Sequence, residues 1–89
     1  MSAPQATEEN SKKIKTIFQE KYRLMVSELV KCRRHLSLTQ KEVAREVGWP
    51  NHTYLSKIET LEKRVDVIEL ALLAKTYKKS IGYFTKFLR

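Results

Sequence analysis

The sequence predicts an all-α domain, built as a compact bundle of about five helices. Only two Gly and two Pro occur among 89 residues, and no segment alternates strictly between apolar and polar residues as a half-buried strand would. Apolar residues instead recur every three or four positions, which is the period of an amphipathic helix. A chain of this length can bury one small core. We therefore expect a single domain over residues 10–89, preceded by a disordered tail at residues 1–9.

A long apolar stripe indicates the first helix. Asn10 or Ser11 can cap its start, and the stripe itself comprises Ile14, Phe18, Tyr22, Met25, Leu29, Cys32 and Leu36. Two interpretations of residues 11–20 remain open. This segment either continues the helix over the domain's own core or packs against a partner subunit.

Two short helices joined by a sharp turn are predicted over residues 38–59. Thr39 and Glu42 have the spacing of a capping box at a helix start. Gly48 can adopt the left-handed conformation that ends many helices, and Pro50 cannot continue the helical hydrogen bonds. Asn51 is a favourable N-cap for the helix that follows. This pattern is typical of a helix-turn-helix, whose second helix can lie in the DNA major groove.

The same stretch resembles the helix-turn-helix of the Cro/cI-repressor (Xre-type) family. The matching residues are Leu38-Thr39-Gln40, Val43-Ala44, Gly48, Ser56-Lys57-Ile58-Glu59, Arg64, Leu70 and Leu73-Ala74. The resemblance implies a lambda-repressor-like bundle, here with a lengthened first helix. It also implies a sequence-specific regulator of transcription, repressor-like, that binds double-stranded DNA as a homodimer with a recognition helix at about residues 51–59.

Two features depart from the family's pattern. Counted from Gln40, the family's apolar positions in the second helix would fall on Tyr54 and Lys57. Because Lys57 cannot serve as a core residue, we expect Leu55 and Ile58 to face the core instead, after a turn one residue longer than usual. The family's Gly after Glu59 is also absent, since Thr60 and Leu61 follow here. Both features leave the tilt of the second helix open.

Helix geometry then selects the residues that can contact DNA. The face opposite the apolar stripe is predicted to approach base edges, and its members are His52, Thr53, Ser56 and Lys57. The candidates for phosphate contacts are Gln40 and Arg64, as the resemblance implies, and Asn51, Tyr54 and Lys63. The resemblance further implies that Gln40 braces the recognition helix, and that Arg33 of the first helix forms a structural ion pair with Glu59.

Positive charge is concentrated in the segments that flank this motif and is sparse within it. The chain carries a net charge of +8, with an isoelectric point of about 9.8. Residues 21–36 hold five basic residues against one acidic residue, whereas residues 37–64 have a net charge of only +1. A small basic domain is compatible with a polyanionic partner. This distribution suits flanks that bind phosphates around a centre that contacts bases.

Two further helices are predicted after the motif. Asp66 and Glu69 can start the first of them, and the run that follows is apolar nearly all round, as expected for a central buried helix. Ser80 can cap a last helix over residues 81–88. The resemblance places its apolar face, Ile81, Tyr83, Phe84, Phe87 and Leu88, at a dimer interface. The alternative is that this face belongs to the domain's own core.

Other classes of protein are disfavoured. The chain has two His, one Cys and no Gly-rich phosphate loop, so we expect no enzyme, cofactor, metal site or small-molecule substrate. No apolar run is long enough for a membrane span and no signal peptide is evident, so we expect a cytoplasmic protein of bacterial, phage or plasmid context. The alternative function is a helix-turn-helix protein-interaction module, or an antitoxin-type protein that binds a partner and reads little DNA.

Overall fold

The computed structural model describes the backbone of residues 8–89 and the side chains of residues 19–89. Five α-helices follow one another: α1 (Glu8–His35), α2 (Gln40–Val47), α3 (Thr53–Glu59), α4 (Val67–Thr76) and α5 (Ile81–Thr85), which continues into a 3₁₀ turn at Lys86–Leu88. No strand occurs in this part of the chain, so the all-α prediction is confirmed.

The first helix begins at Glu8, slightly before the predicted start at residues 10–11. The predicted tail at residues 1–9 is too long at its end, because Glu8 and Glu9 belong to α1. Its residues 1–7 lie outside the described residues. The side chains of residues 11–18 are outside them as well, so both interpretations of the helical extension at residues 11–20 stay open. From Tyr22 onwards, the stripe that predicted α1 packs towards the core.

Side-chain caps fix the starts of three helices. Thr39 accepts a hydrogen bond from the Glu42 amide at 3.0 Å, and Glu42 accepts one from the Thr39 amide at 2.9 Å. Asp66 and Glu69 form the same reciprocal box at the start of α4. Ser80 Oγ accepts from the Tyr83 amide at 3.2 Å at the start of α5. Each cap satisfies amides that have no partner inside the helix.

Four helices end through one residue in the left-handed conformation, with φ near +57° to +85°: Ser37, Gly48, Leu61 and Lys78. At α2 the Trp49 amide donates to the Ala44 carbonyl at 2.8 Å and the Gly48 amide donates to Arg45 at 3.2 Å, a Schellman motif. Leu61 makes the equivalent turn after α3, with φ of 69°. The turn is therefore formed without the glycine that the family has there.

The core lies between α1 and the four shorter helices. Its buried apolar members are Met25, Val26, Leu29 and Cys32 of α1, Val43 and Ala44 of α2, Leu55 and Ile58 of α3, Leu70, Leu73 and Ala74 of α4, and Tyr77 and Phe84. Cys32 is a buried free thiol, and burial raises its pKa. One core thus anchors every helix of the motif.

The prediction that α4 is buried all round is wrong. Its inner face reaches the core through Leu70 and Leu73, but Val67 and Ile68 are each 68% exposed and Leu72 is 38% exposed. Composition alone suggested burial because seven of the ten residues of the helix are apolar. The bundle has no further helix to cover the outer face in the described part of the chain.

The predicted dimer face on the last helix also needs correction. Phe84 is fully buried in the domain's own core. Tyr83, Phe87 and Leu88 are partly buried and pack against that core, and only Ile81 is clearly exposed, at 39%. The apolar spacing was predicted correctly, but α1 is long enough to cover most of this face within one chain.

Candidate nucleic-acid interface

Helix α3 presents one polar face to solvent. Leu55 and Ile58 are 1% and 0% exposed, so they are the core positions, while Lys57 is exposed. His52 and Thr53 are exposed as well, and Ser56 is half-buried on the same side. The structure therefore brings the four candidates for base contacts together on one surface: His52, Thr53, Ser56 and Lys57.

The start of α3 differs from the expectation. The helix begins at Thr53 and not at residue 51, and His52 directly before it makes no capping hydrogen bond through its side chain. Asn51 Oδ1 instead accepts from the Thr53 amide at 2.9 Å. This bond spans two residues and holds the turn before α3, and Asn51 itself is exposed.

The C-terminal end of α3 is held by a carboxylate that contacts two other helices. Arg33 of α1 donates through Nε and Nη2 to the two Glu59 oxygens, at 2.7 and 3.0 Å. Gln40 Nε2 at the start of α2 donates to Glu59 Oε1 at 2.8 Å. Arg33 Nη1 also donates to the Leu38 carbonyl at 2.9 Å. The ion pair implied by the resemblance is thus formed, with Gln40 as a second partner.

This pair is largely shielded from water. The side chains of Arg33 and Glu59 are only 11% and 8% exposed. The hydrogen bond to Glu59 raises the pKa of Arg33, although burial alone would lower it. A two-pronged bond between a guanidinium and a carboxylate fixes both distance and orientation. The end of α3 is therefore held in place relative to α1 and α2.

The N-terminal end of α3 is held by a different carboxylate, Glu69 of α4. The Tyr54 hydroxyl donates to Glu69 Oε2, and Lys63 Nζ lies 3.2 Å from both Glu69 oxygens. Lys63 also lies over the Tyr54 ring, 4.5 Å from its centroid. These contacts correct two predictions, because the Tyr54 hydroxyl and the Lys63 ammonium, both expected at phosphate, contact Glu69.

Glu69 is the only charged residue among the buried ones in the described part of the chain, at 7% exposure. Burial by itself would raise the pKa of its carboxyl. The hydrogen bonds from Tyr54 and from the Asp66 amide, together with Lys63, outweigh burial and hold that pKa below its usual range. Glu69 is therefore a carboxylate that both starts α4 and holds α3.

Sequence reasoning found Glu69 only as an acidic residue at a helix start. Its second role could not be inferred, because Tyr54 and Glu69 lie 15 positions apart and no periodic pattern joins them. The position of Tyr54 beside the apolar stripe predicts only that its hydroxyl can reach outwards, towards a phosphate. The ring of Trp49, 4.8 Å from that of Tyr54, packs beside it.

Two other phosphate candidates have room for a ligand. Arg64 is exposed, and its guanidinium carbon lies 5.2 Å from the centre of the Tyr22 ring. The Tyr22 hydroxyl accepts from the Val65 amide at 3.0 Å, so α1 fixes the backbone next to Arg64. Gln40 is half-buried and donates one Nε2–H to Glu59. The second N–H of that amide and the backbone amides at the start of α2 are the donors that remain for a phosphate.

A shallow groove of about 320 Å³ separates α2 from the turn before α3. Lys41 and Arg45, one turn apart on α2, line it together with Trp49, Asn51 and His52. The side chains of Lys41 and Arg45 are exposed and border the turn, so this surface adds two positive charges next to the N-terminal end of α3.

Other kinds of site are not seen in the described residues. No group of three or more His, Cys, Asp or Glu side chains there is arranged to hold a metal ion. None of the helices is both long enough and apolar enough to cross a membrane, as far as the described chain extends.

Comparison with known proteins agrees with this geometry. The helix-turn-helix family HTH_3 matches residues 29–84, which contain the whole motif and α4. The chain belongs to the Xre-type helix-turn-helix family. Members of this family are DNA-binding regulators of transcription.

A solved structure supports the assignment. The chain is similar to an "XRE-family like protein" from Pseudomonas syringae pv. tomato str. DC3000, with 31% sequence identity and a TM-score of 0.77. The likeness covers 84% of this chain and 90% of the other. The structural likeness therefore extends beyond residues 29–84, the part of the chain that matches the HTH_3 family. No curated protein matches the sequence.

Proposed function

We propose that this Xre-type protein is a sequence-specific, repressor-like regulator that binds double-stranded DNA as a homodimer. The observation that supports this most is the construction of α3. Its polar face is exposed, while Glu59 and Glu69 hold its two ends against three other helices. A helix held at both ends can present side chains to base edges with little loss of conformational entropy on binding.

Each side chain then has a role that fits its chemistry. Lys57 can donate to guanine O6 and N7, Thr53 can contact base edges or a thymine methyl group, and His52 can donate or accept. Ser56 adds a hydroxyl one turn from His52. We propose that these four residues read the sequence while α3 lies in the major groove.

Phosphate contacts are proposed around this centre. Arg64 follows α3 and is exposed, Asn51 holds the turn, and Gln40 opens α2. To these predicted residues we add Lys41 and Arg45, because they line the groove beside His52. Contacts of this kind fix position and orientation on the duplex without reading its sequence.

The experiment is selection of bound duplexes from a random DNA pool, followed by titration of variants on the selected site and on random DNA. We expect Lys57→Ala and Thr53→Ala each to weaken the selected site by about 1–3 kcal/mol and to relax base preference. Arg64→Ala should weaken all sequences alike and reduce the salt slope by about 1.

Lys79→Ala is a matched control, because it removes one exposed positive charge that lies over the Tyr83 ring, outside the proposed interface. It should leave base preference unchanged. If Lys57→Ala and Arg64→Ala affect selected and random DNA in the same way, the division of roles is wrong. If the protein binds no duplex even at low salt, the protein-interaction function replaces this one.

A further inference from the structure

A cavity of about 480 Å³ opens where the C-terminal ends of α1 and α4 meet α5. Cavities that bind small molecules commonly have this size. None of its lining residues belongs to α2, α3 or the turn between them. On α1, Lys31 and His35 lie on a different side of the helix from Arg33, which holds the end of α3. The cavity is therefore separate from the proposed DNA-reading surface.

Positive charge collects at this cavity without a carboxylate to balance it. Four exposed lining residues carry or can carry a positive charge: Lys31, His35, Lys78 and Lys79. The one acidic lining residue, Glu28, already accepts a hydrogen bond from the Tyr83 hydroxyl at 2.7 Å. Neither of the two ion pairs within the described residues involves any of the four. Like charges close together repel each other, so an anion bound among them is stabilised.

The dipoles of the two helix ends account for part of this charge, since basic side chains are favoured near helix C-termini. They do not account for the contacts of Tyr83 in α5. Lys79 Nζ lies 4.5 Å from the centre of the Tyr83 ring and Lys86 Nζ lies 4.0 Å from it. Burial and Glu28 raise the pKa of the Cys32 thiol, whereas Lys79 and Lys86 act to lower it. The positive potential thus reaches a buried wall of the cavity.

The floor of the cavity is apolar. Cys32 and Tyr77 are 7% and 2% exposed, and Leu36 and Tyr83 beside them are half-buried. The phosphates of a duplex lie on a convex surface and do not reach such a floor. An apolar floor below a positive rim instead suits a small molecule that has both an apolar part and a negative charge.

We infer that this cavity binds a small organic anion, which consists of one acidic group on an apolar body. The acidic group lies among the ammonium groups of Lys31, Lys78 and Lys79, which donate to carboxylate and phosphate alike. The apolar body packs on the floor of the cavity. The inference does not rest on the proposed function, because no lining residue belongs to the DNA-reading surface.

The probe is benzoate, compared with benzyl alcohol, acetate and phenyl phosphate at constant ionic strength. Titration of the full chain, followed by amide NMR, should show saturable shifts at Cys32 and Tyr83 and none at Thr53 or Lys57 of α3. Benzyl alcohol lacks the charge and acetate lacks the apolar ring, so each should bind at least about tenfold more weakly than benzoate. Phenyl phosphate shows whether the cavity prefers a phosphate ester to a carboxylate.

Two charge reversals test the rim of the cavity. Lys79→Glu and Lys31→Glu each place a carboxylate beside the remaining ammonium groups, and each should weaken benzoate binding at least about fivefold. The matched control is Lys75→Glu, which makes the same charge change at an exposed lysine of α4 that does not line the cavity. It should keep the wild-type affinity. All three positions are exposed, so the fold should be retained, and circular dichroism checks this.

Four results would overturn the inference. Neither benzoate nor phenyl phosphate binds; acetate or benzyl alcohol binds as tightly as benzoate; Lys75→Glu weakens binding as much as Lys79→Glu; or a random DNA duplex displaces benzoate, which makes the cavity part of a nucleic-acid surface. If benzoate binds as expected and the protein binds no duplex at all, the anion site stands and the proposed function fails.

Discussion

The two ends of α3 are both held by a carboxylate, but the two carboxylates work differently. At the C-terminal end, Glu59 pairs with Arg33, and both side chains are almost shielded from water. At the N-terminal end, Glu69 accepts from a neutral phenol, from a backbone amide and from Lys63, whose side chain is 32% exposed. One end depends on a buried ion pair and the other on a shared acceptor.

This difference decides what each contact contributes. Removing the charge of Glu59 leaves the Arg33 guanidinium buried without its counter-charge, and that state is costly. Removing the charge of Glu69 leaves Lys63 able to turn to water and Tyr54 able to donate to another oxygen. Replacing one member of a pair therefore costs most stability where the remaining partner cannot form a hydrogen bond to another group or to water.

Glu59→Gln tests the C-terminal end. We expect the free energy of unfolding to fall by about 3–5 kcal/mol, because Arg33 keeps its charge in a place where water hardly reaches. Urea unfolding followed by circular dichroism measures the change. Glu62→Gln is the control: Glu62 is exposed and accepts from the Thr60 hydroxyl, so its loss should change stability little. Equal effects of the two variants would contradict a buried ion pair.

Glu69→Gln tests the N-terminal end. It should lower the free energy of unfolding by about 1–3 kcal/mol, less than Glu59→Gln, because the amide oxygen can still accept a hydrogen bond. Tyr54→Phe removes one donor only, so its effect on the free energy of unfolding should be smaller than that of Glu69→Gln. The same urea titration compares them. A loss for Glu69→Gln as large as that for Glu59→Gln would show that the two ends are equivalent.

The dependence on pH sharpens this comparison. The folded protein holds the pKa of Glu69 below its ordinary value of 4.5, so its hydrogen bonds contribute fully above that pH and are lost as pH falls through the lower folded value. Between pH 5 and pH 3 the wild type should therefore lose more stability than Glu69→Gln. Glu42, whose pKa is also lowered by its bonds to Thr39, is present in both proteins and does not affect the difference.

The smallest effect concerns backbone strain after α3. Leu61 has a φ of 69°, which a side chain with a β-carbon adopts only at a cost. Leu61→Gly and Leu61→Ala lose the same apolar contacts, apart from one methyl group, but only Gly relieves the strain. We expect Leu61→Gly to be more stable than Leu61→Ala by about 1 kcal/mol in thermal unfolding. An alanine variant of equal stability would mean that the turn is not strained.

Much of the fold could be predicted because it depends on local chemistry. Thr39 and Glu42 predict a helix start within four residues, and Gly48 with Pro50 predicts the turn. Lys57 cannot lie in a core, so the sequence predicts Leu55 and Ile58 as the core positions of α3. Leu55 and Ile58 are both buried. Arg33 and Glu59 came from the family resemblance, since their separation of 26 positions carries no signal of its own.

Other assignments failed where the answer depended on what packs nearby. Tyr54 and Lys63 were expected at phosphate, but Glu69 lies within reach and satisfies both. Phe84 was expected at a dimer interface, but it is buried beneath the domain's own surface. The type of a residue predicts whether its side chain will be buried or hydrogen-bonded. It does not predict which residue of the fold will contact that side chain.

The sequence by itself thus determined which segments form helices, the caps at Thr39, Asp66 and Ser80, the turn at Gly48 and the residues of α3 that face away from the core. It could do so because helix period and capping act over a few residues. Only the tertiary structure decided which surfaces remain free. It brought Glu69 within hydrogen-bonding distance of the Tyr54 hydroxyl. It also covered most of the aromatic face of the last helix and left the outer face of α4 exposed. These outcomes depend on contacts between residues distant in the chain, which no local pattern specifies.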